Sequence, residues 1–312
     1  MLSIWDVIFF VQYVYIVLFL SLYVLEVYII LQVSDDRSQF RTPFYKLFII
    51  GAILDINFEL LGTIIHRIPM SPIMNGAFAN YQPTLVMTLI TGIAYYLPAA
   101  QEYLNIFIAL NRLTAIVFNT HHHKIWAYLT PASILFTLSV PLISVWYLFL
   151  CPVVAIPVVE DNHTYYILTA DVANNFPDIS PPLRTSILII GGATICFVLY
   201  TTTALWMRYV PGMNKIDMDK RLFYFGATLF VFNIPCAALQ MTLFLLGPTI
   251  ENLFLAYKCL PFLIDVKSLL PPILLFVYNK SIRYKCYEIF GMKQRTRTEK
   301  SFSRTVGSRV QV

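Results

Sequence analysis

The stretch Gln101–Trp126, QEYLNIFIALNRLTAIVFNTHHHKIW, decides how the chain is read. It begins inside an apolar helix, places Asn111 and Arg112 near that helix's end, and runs out into His121, His122, His123 and Lys124. An arginine is costly at the centre of a bilayer and tolerated at its edge, where the side chain reaches phosphate and water. Arg112 therefore marks the place where a membrane helix surfaces. Two readings of it stay open: an anchor that fixes the helix end, or a polar switch that changes partners. Three consecutive histidines share no helical face, so they do not suggest a metal site, and no cofactor is expected.

Working outward, composition sets the class. Hydrophobic residues make up 58% of the 312 and charged residues only 12%, about half the ~25% of a soluble domain. The apolar residues come in blocks of twenty or more, long enough to cross a bilayer. Aromatic residues, 15% of the chain, suit a membrane protein whose Tyr and Trp gather at the interfaces. The formal net charge of +5 says little about partners, because the bases are concentrated at one end. No basic face is interleaved with stacking aromatics, so nucleic acid is not an expected partner.

Seven blocks can be marked, at about 9–32, 44–66, 84–118, 126–150, 185–207, 222–246 and 255–279. The expected fold is an all-α integral membrane bundle of seven transmembrane helices over 9–279, preceded by a short segment 1–8 and followed by a basic tail 280–312. The opening MLSIWDV lacks the Lys or Arg of a signal-peptide n-region, so the first block is expected to stay as an anchor. Of the 22 Lys and Arg, 17 fall in three intervening segments and the tail: Arg37 and Arg41; Arg112 and Lys124; Arg208, Lys215, Lys220 and Arg221; and nine beyond residue 279. The positive-inside rule then places the N-terminus outside and the C-terminus in the cytosol. The long loop Cys151–Arg184 holds four acids, no base before Arg184, and the sequon Asn162-His163-Thr164. It is expected outside, with Asn162 glycosylated.

Polar residues at membrane depth point to function or to packing. Asp55 and Glu59 lie four apart on one helical face, which must turn inward. That face could be an ion or ligand site, or an interhelical hydrogen-bond network. Glu26 is expected to snorkel. Tyr95, Tyr96, Gln101, Glu102 and Asn105 give the third block a polar side, with Pro98 as a kink. Asp265 and Lys267 sit near mid-depth in the seventh. Tyr95, Tyr96, Gln101, Glu102, Asp265 and Lys267 are the expected ligand-binding residues, in an aromatic-walled pocket with few polar groups. Glu102 is a candidate partner for Lys267. The sixth block is expected to break at Asn233-Ile234-Pro235. A switch would consist of Asn111, Arg112, the Pro235 hinge, and Asp217 or Asp219 as the acid that holds Arg112. In the tail, Ile282, Cys286, Ile289 and Phe290 recur at helical spacing, which suggests a helix on the inner leaflet, in contact with membrane lipids, with Cys286 open to palmitoylation.

Three runs, Ala109–Trp126 (ALNRLTAIVFNTHHHKIW), Phe44–Ile56 (FYKLFIIGAILDI) and Leu269–Arg283 (LLPPILLFVYNKSIR), resemble the nematode serpentine chemoreceptors of the Srg superfamily, class gamma first and class V next. The resemblance implies a seven-helix chemosensory receptor in the plasma membrane of sensory neurons, including their cilia. It implies a small-molecule ligand and a heterotrimeric G protein as partners, and no enzymatic activity. It does not imply which ligand. Asn111-Arg112-Leu113 stands where rhodopsin-like receptors carry an acidic-Arg-Tyr motif, so Asn111 cannot supply a charge to neutralise Arg112. Two other classes share single features of this pattern. A transporter or channel could use the mid-depth acids, but the chain shows no internal repeat and an odd helix count. An intramembrane enzyme would need a nucleophile–base pair or metal cluster at depth, and no such spacing occurs.

Overall fold

The computed structural model describes residues 4–33, 42–71, 75–118, 120–160, 163–209, 217–247 and 249–291. Helix α1 (Ile4–Val33) is an almost uninterrupted apolar run. Pro43 opens α2 (Pro43–Gly62), where its missing N–H costs nothing. That helix continues through a π turn, Thr63–Arg67. Thr84 caps α3 (Leu85–Val117), accepting from the Met87 N–H at 3.2 Å. Then come α4 (His122–Val145), which ends in a 3₁₀ turn, and the strands β1 (Val153–Glu160) and β2 (His163–Ala170). The chain closes with α5 (Pro181–Tyr209), α6 (Asp217–Leu246), α7 (Ile250–Tyr278) and α8 (Lys280–Ile289). Asn279 starts α8 by accepting from the N–H groups of Ser281 and Ile282 at 3.0 and 3.2 Å.

Among the described residues, six helices are long and apolar enough to cross a membrane: those at Ile4–Gln32, Pro43–Arg67, His122–Phe149, Pro181–Tyr209, Phe223–Leu246 and Ile250–Tyr278. Helix α3 is as long, at 33 residues, but it is more polar. Its position explains why. It packs against α2, α4, α5 and α6, so its polar face meets other helices. The interior is built on Phe44, Phe48, Leu104, Trp126, Phe225 and Leu275, with Phe44 and Phe225 edge to face at 5.6 Å. Gly226 lets α6 close on α5, because a Cβ there would stand 2.0 Å from the Tyr200 hydroxyl. Of the Gly191-Gly192 pair, Gly192 is the packing residue: a Cβ on it would meet the Glu102 carboxylate at 3.4 Å, whereas one on Gly191 would meet none of the described residues within 4 Å.

Three expectations change. Helix α6 runs unbroken through Pro235, since losing one N–H removes a single rung while the flanking rungs hold. The loop after α4 is not irregular: β1 and β2 pair antiparallel from Val153↔Ala170 to Glu160↔His163, so the bundle is not purely helical. Pro157 is tolerated because each strand of a two-stranded sheet has a free edge. Glu26 is fully buried rather than snorkelling.

Candidate ligand cavity

The inward face expected for Asp55 and Glu59 meets two separate partners. Asp55 accepts from the Tyr23 hydroxyl at 2.7 Å and from Gln101 Nε2 at 2.6 Å. Glu59 lies 2.9 Å from Nη1 of Arg67, whose side chain has no exposed surface. Arg67 also donates to Gln12 Oε1 (3.1 Å), Thr63 Oγ1 (2.9 Å) and the Pro261 carbonyl (3.2 Å), and it pairs with Asp265. Tyr15 donates to the other oxygen of Asp265. One guanidinium thus joins α1, α2 and α7, and its fork of donors suits that role better than an ammonium would. The sequence reading assigns Arg67 no role. The available signal was Glu59, Thr63 and Arg67 spaced by four along one face.

A second node lies across the bundle. Lys267 Nζ is 2.7 Å from Glu102 Oε1, with side chains 10% and 3% exposed. Both oxygens of Glu102 also accept from Asn233 Nδ2, at 2.7 and 2.8 Å. The node therefore ties α3 to α7 and to α6, two residues before Pro235. Asp265 and Lys267, two positions apart, face different helices because each residue turns the chain ~100°. Beneath the node, Asp55, Gln101, Asn105, Asn233 and Lys267 line a small cavity of about 40 Å³.

Towards the hairpin end the bundle opens into a cavity of about 590 Å³, within the range that holds small organic ligands. Its walls come from α2 with its π turn, α3, the end of α4 with its 3₁₀ turn, α5, α6, α7, the end of β2 and the chain that follows it, and they are largely aliphatic and aromatic. Tyr95 and Tyr257 both line it. Tyr257 donates to the Leu168 carbonyl of β2 at 2.7 Å, which ties the hairpin to α7. His66 stands edge-on to Tyr257 at 5.0 Å, and its buried Nδ1 has no hydrogen-bond partner among the described residues. Arg184 lies over the Tyr147 ring at 5.3 Å. Lys267 is the one described residue that lines both the large cavity and the small one.

Of the six expected ligand residues, the structure brings Tyr95 and Lys267 to this cavity. Tyr96 points away and donates to the Leu138 carbonyl of α4 at 2.8 Å. Gln101 is held by Asp55. Glu102 sits behind Lys267, and Asp265 belongs to the Arg67 cluster. Sequence reasoning missed His66, Tyr147, Arg184, Gln240 and Tyr257 as lining residues. None of them carries a local signal; they meet only because the helices do.

At the opposite end Arg112 is buried, 4% exposed, rather than reaching the headgroups. Its Nη2 donates to Asn111 Oδ1 at 3.1 Å, and its guanidinium lies over the Phe44 ring at 4.2 Å. Asn111 Nδ2 is 3.2 Å from His122 Nε2, and Trp126 Nε1 donates to Thr114 Oγ1 at 2.7 Å. Asn111 thus serves Arg112 through a hydrogen bond in place of a charge. The side chains of Asp217 and Asp219, and all of Asn162, lie outside the described residues. Cys286 is buried with Ile282 in the main core. Burial, with the Glu26 charge second, pushes its thiol up to about 11. The lipid anchor expected there has no exposed nucleophile, because the helix packs that side against the bundle.

Long apolar helices, ion pairs buried between them and a cavity at one end define a polytopic helical membrane protein with room for a small molecule. The profile described as "Srg family chemoreceptor" matches residues 9–286. The chain belongs to this family of chemoreceptors. It is 24% identical over 284 residues to serpentine receptor class gamma-10 of Caenorhabditis elegans, covering 87% of this chain and 82% of the relative. To serpentine receptor class gamma-20 of the same organism it is 24% identical over 278 residues, covering 85% and 76%. A stretch of 107 residues is 35% identical to serpentine receptor class V-1, also of C. elegans, covering 34% of this chain and 33% of that one.

Proposed function

We propose that this chemoreceptor crosses the plasma membrane seven times, α3 being the seventh span. It holds a small molecule in the 590 Å³ cavity and signals to a heterotrimeric G protein from the opposite end. The cavity carries the reading: it is large, mostly apolar and bordered by the end of β2, as suits a site for a small organic ligand. The placement of 17 of the 22 bases supports an outside N-terminus and hairpin and a cytosolic tail. Loss of glycosidase sensitivity in Asn162→Gln tests that orientation, and cleavage of the C-terminus by protease added to intact cells refutes it.

The signalling end is built around Arg112, held by Asn111 and Phe44. Asp217 and Asp219 open α6 and remain candidates for a second hold on Arg112. An outward movement of the tail-side half of α6, pivoting at Pro235, would free the guanidinium for the G protein, while the basic tail keeps the complex at the acidic leaflet. Arg112→Ala then abolishes coupling and leaves ligand binding intact. Asp217→Ala with Asp219→Ala raises basal signalling. An Arg112→Ala receptor that reaches the surface and signals normally reduces Arg112 to a packing residue. The mid-depth acids do not favour a transporter: each of Asp55, Glu59, Glu102 and Asp265 already has a partner.

A further inference from the structure

The charge pattern of the large cavity is one-sided. Among the described residues, its lining contains Arg184 and Lys267 and neither Asp nor Glu. Arg184, exposed at the start of α5, rests on Tyr147. Lys267 lies deep in α7, and the carboxylate that balances it is behind it: Glu102 does not line the cavity. A cationic ligand would meet only like charge there. A neutral one would leave the cavity side of the ammonium unused, although an ammonium has three donors and Glu102 takes one. An acid finds one cation on its way in, which attracts it, and a second at depth, which can hold it. Around that path Leu188, Ile189, Leu239, Leu243 and Leu263 supply apolar wall.

We propose that the ligand of this cavity is an amphiphilic acid, whose anionic head binds Lys267 and draws the ammonium off Glu102 while the apolar body fills the cavity above. The inference rests on the reading that this cavity is the ligand site, and it adds both the ligand class and the first step of signalling. Lys267 is shared by the large cavity and the small one beneath it, so its displacement is felt in both. Glu102 then keeps only the Asn233 amide of the bonds it now makes to Lys267 and Asn233. Asn233 is two residues from Pro235 in α6, so a change at the head group reaches the helix expected to move.

The test uses the full-length receptor in lipid nanodiscs with phenylhexanoic acid, phenylhexanol and phenylhexylamine as matched probes. Apparent Kd is read from thermal stabilisation against probe concentration. The acid should bind at least tenfold more tightly than the alcohol, and the amine more weakly than either. Glu102→Gln removes the competitor for Lys267 and should tighten the acid about tenfold without moving the alcohol. A merely structural pair would weaken both probes on that change. The double variant Lys267→Gln with Glu102→Gln leaves no orphaned charge. It should still bind the alcohol, which reports its fold, and lose the preference for acid. Equal binding of acid and alcohol by the wild type overturns the proposal. So does a Glu102→Gln variant that binds acid less well, or an acid preference that survives the double variant. No stabilisation by any of the three probes overturns it as well. Filling the cavity with Ala99→Trp separates the two levels: if every probe binds that variant as before, the cavity reading itself fails.

Discussion

Replacing Arg67 by Met would strip the cation from between Glu59 and Asp265, both buried, and remove its bonds to Gln12, Thr63 and the Pro261 carbonyl. A buried pair adds little net stability when intact, because desolvation offsets the attraction. Breaking one by removing a single partner costs about 3–5 kcal/mol, since the remaining charge is stranded. Here two carboxylates are stranded together. At roughly 2–4 °C per kcal/mol for a chain of this order, the apparent melting temperature should fall by about 10 °C or more. Arg67→Met should therefore reach the cell surface poorly and unfold early when purified in detergent. The triple variant Arg67→Met, Glu59→Gln, Asp265→Asn neutralises the stranded acids and should recover at least half of the lost stability. Surface expression and thermal unfolding of the single and triple variants decide the matter. A single variant that melts within 2 °C (about 1 kcal/mol) of the wild type would refute the assignment of Arg67 as the junction of α1, α2 and α7. So would a triple variant less stable than the single one.

Other outcomes follow from single contacts. Gly226→Ala places a methyl 2.0 Å from the Tyr200 hydroxyl and should cost about 1–3 kcal/mol by overpacking; adding Tyr200→Phe should return part of that loss in the same unfolding assay. Tyr257→Phe deletes the bond to the Leu168 carbonyl, worth about 1 kcal/mol, and should speed hydrogen exchange in β2 while the far end of the bundle exchanges as before. Cys286, buried and with its thiol pushed up to about 11, should resist maleimide in opened membranes at pH 8, far more than a cysteine placed at exposed Glu288. Its rate should climb roughly tenfold per pH unit below that value, as the thiolate fraction does. Palmitate incorporation should be unchanged in Cys286→Ser.

Much of this architecture is legible without coordinates, because it rests on local periodicity and on transfer free energy. Apolar runs of twenty or more residues set six of the long helices, and the four-residue spacing of Asp55 and Glu59 sets their shared inward face. The hairpin could have been found from VVAIPVVE and HTYYILTA, two β-branched and aromatic runs either side of Asp161-Asn162. What remained out of reach is partner choice. Arg67 meets Asp265 across 198 positions, and Lys267 meets Glu102 across 165. Periodicity says that such side chains turn inward, and it carries no information on which helix stands opposite. That choice is made by the packing of all the long helices at once. It sent Tyr95 to the cavity and Tyr96 to α4, buried Arg112 beneath Phe44, and left Lys267 with a carboxylate behind it and open space in front.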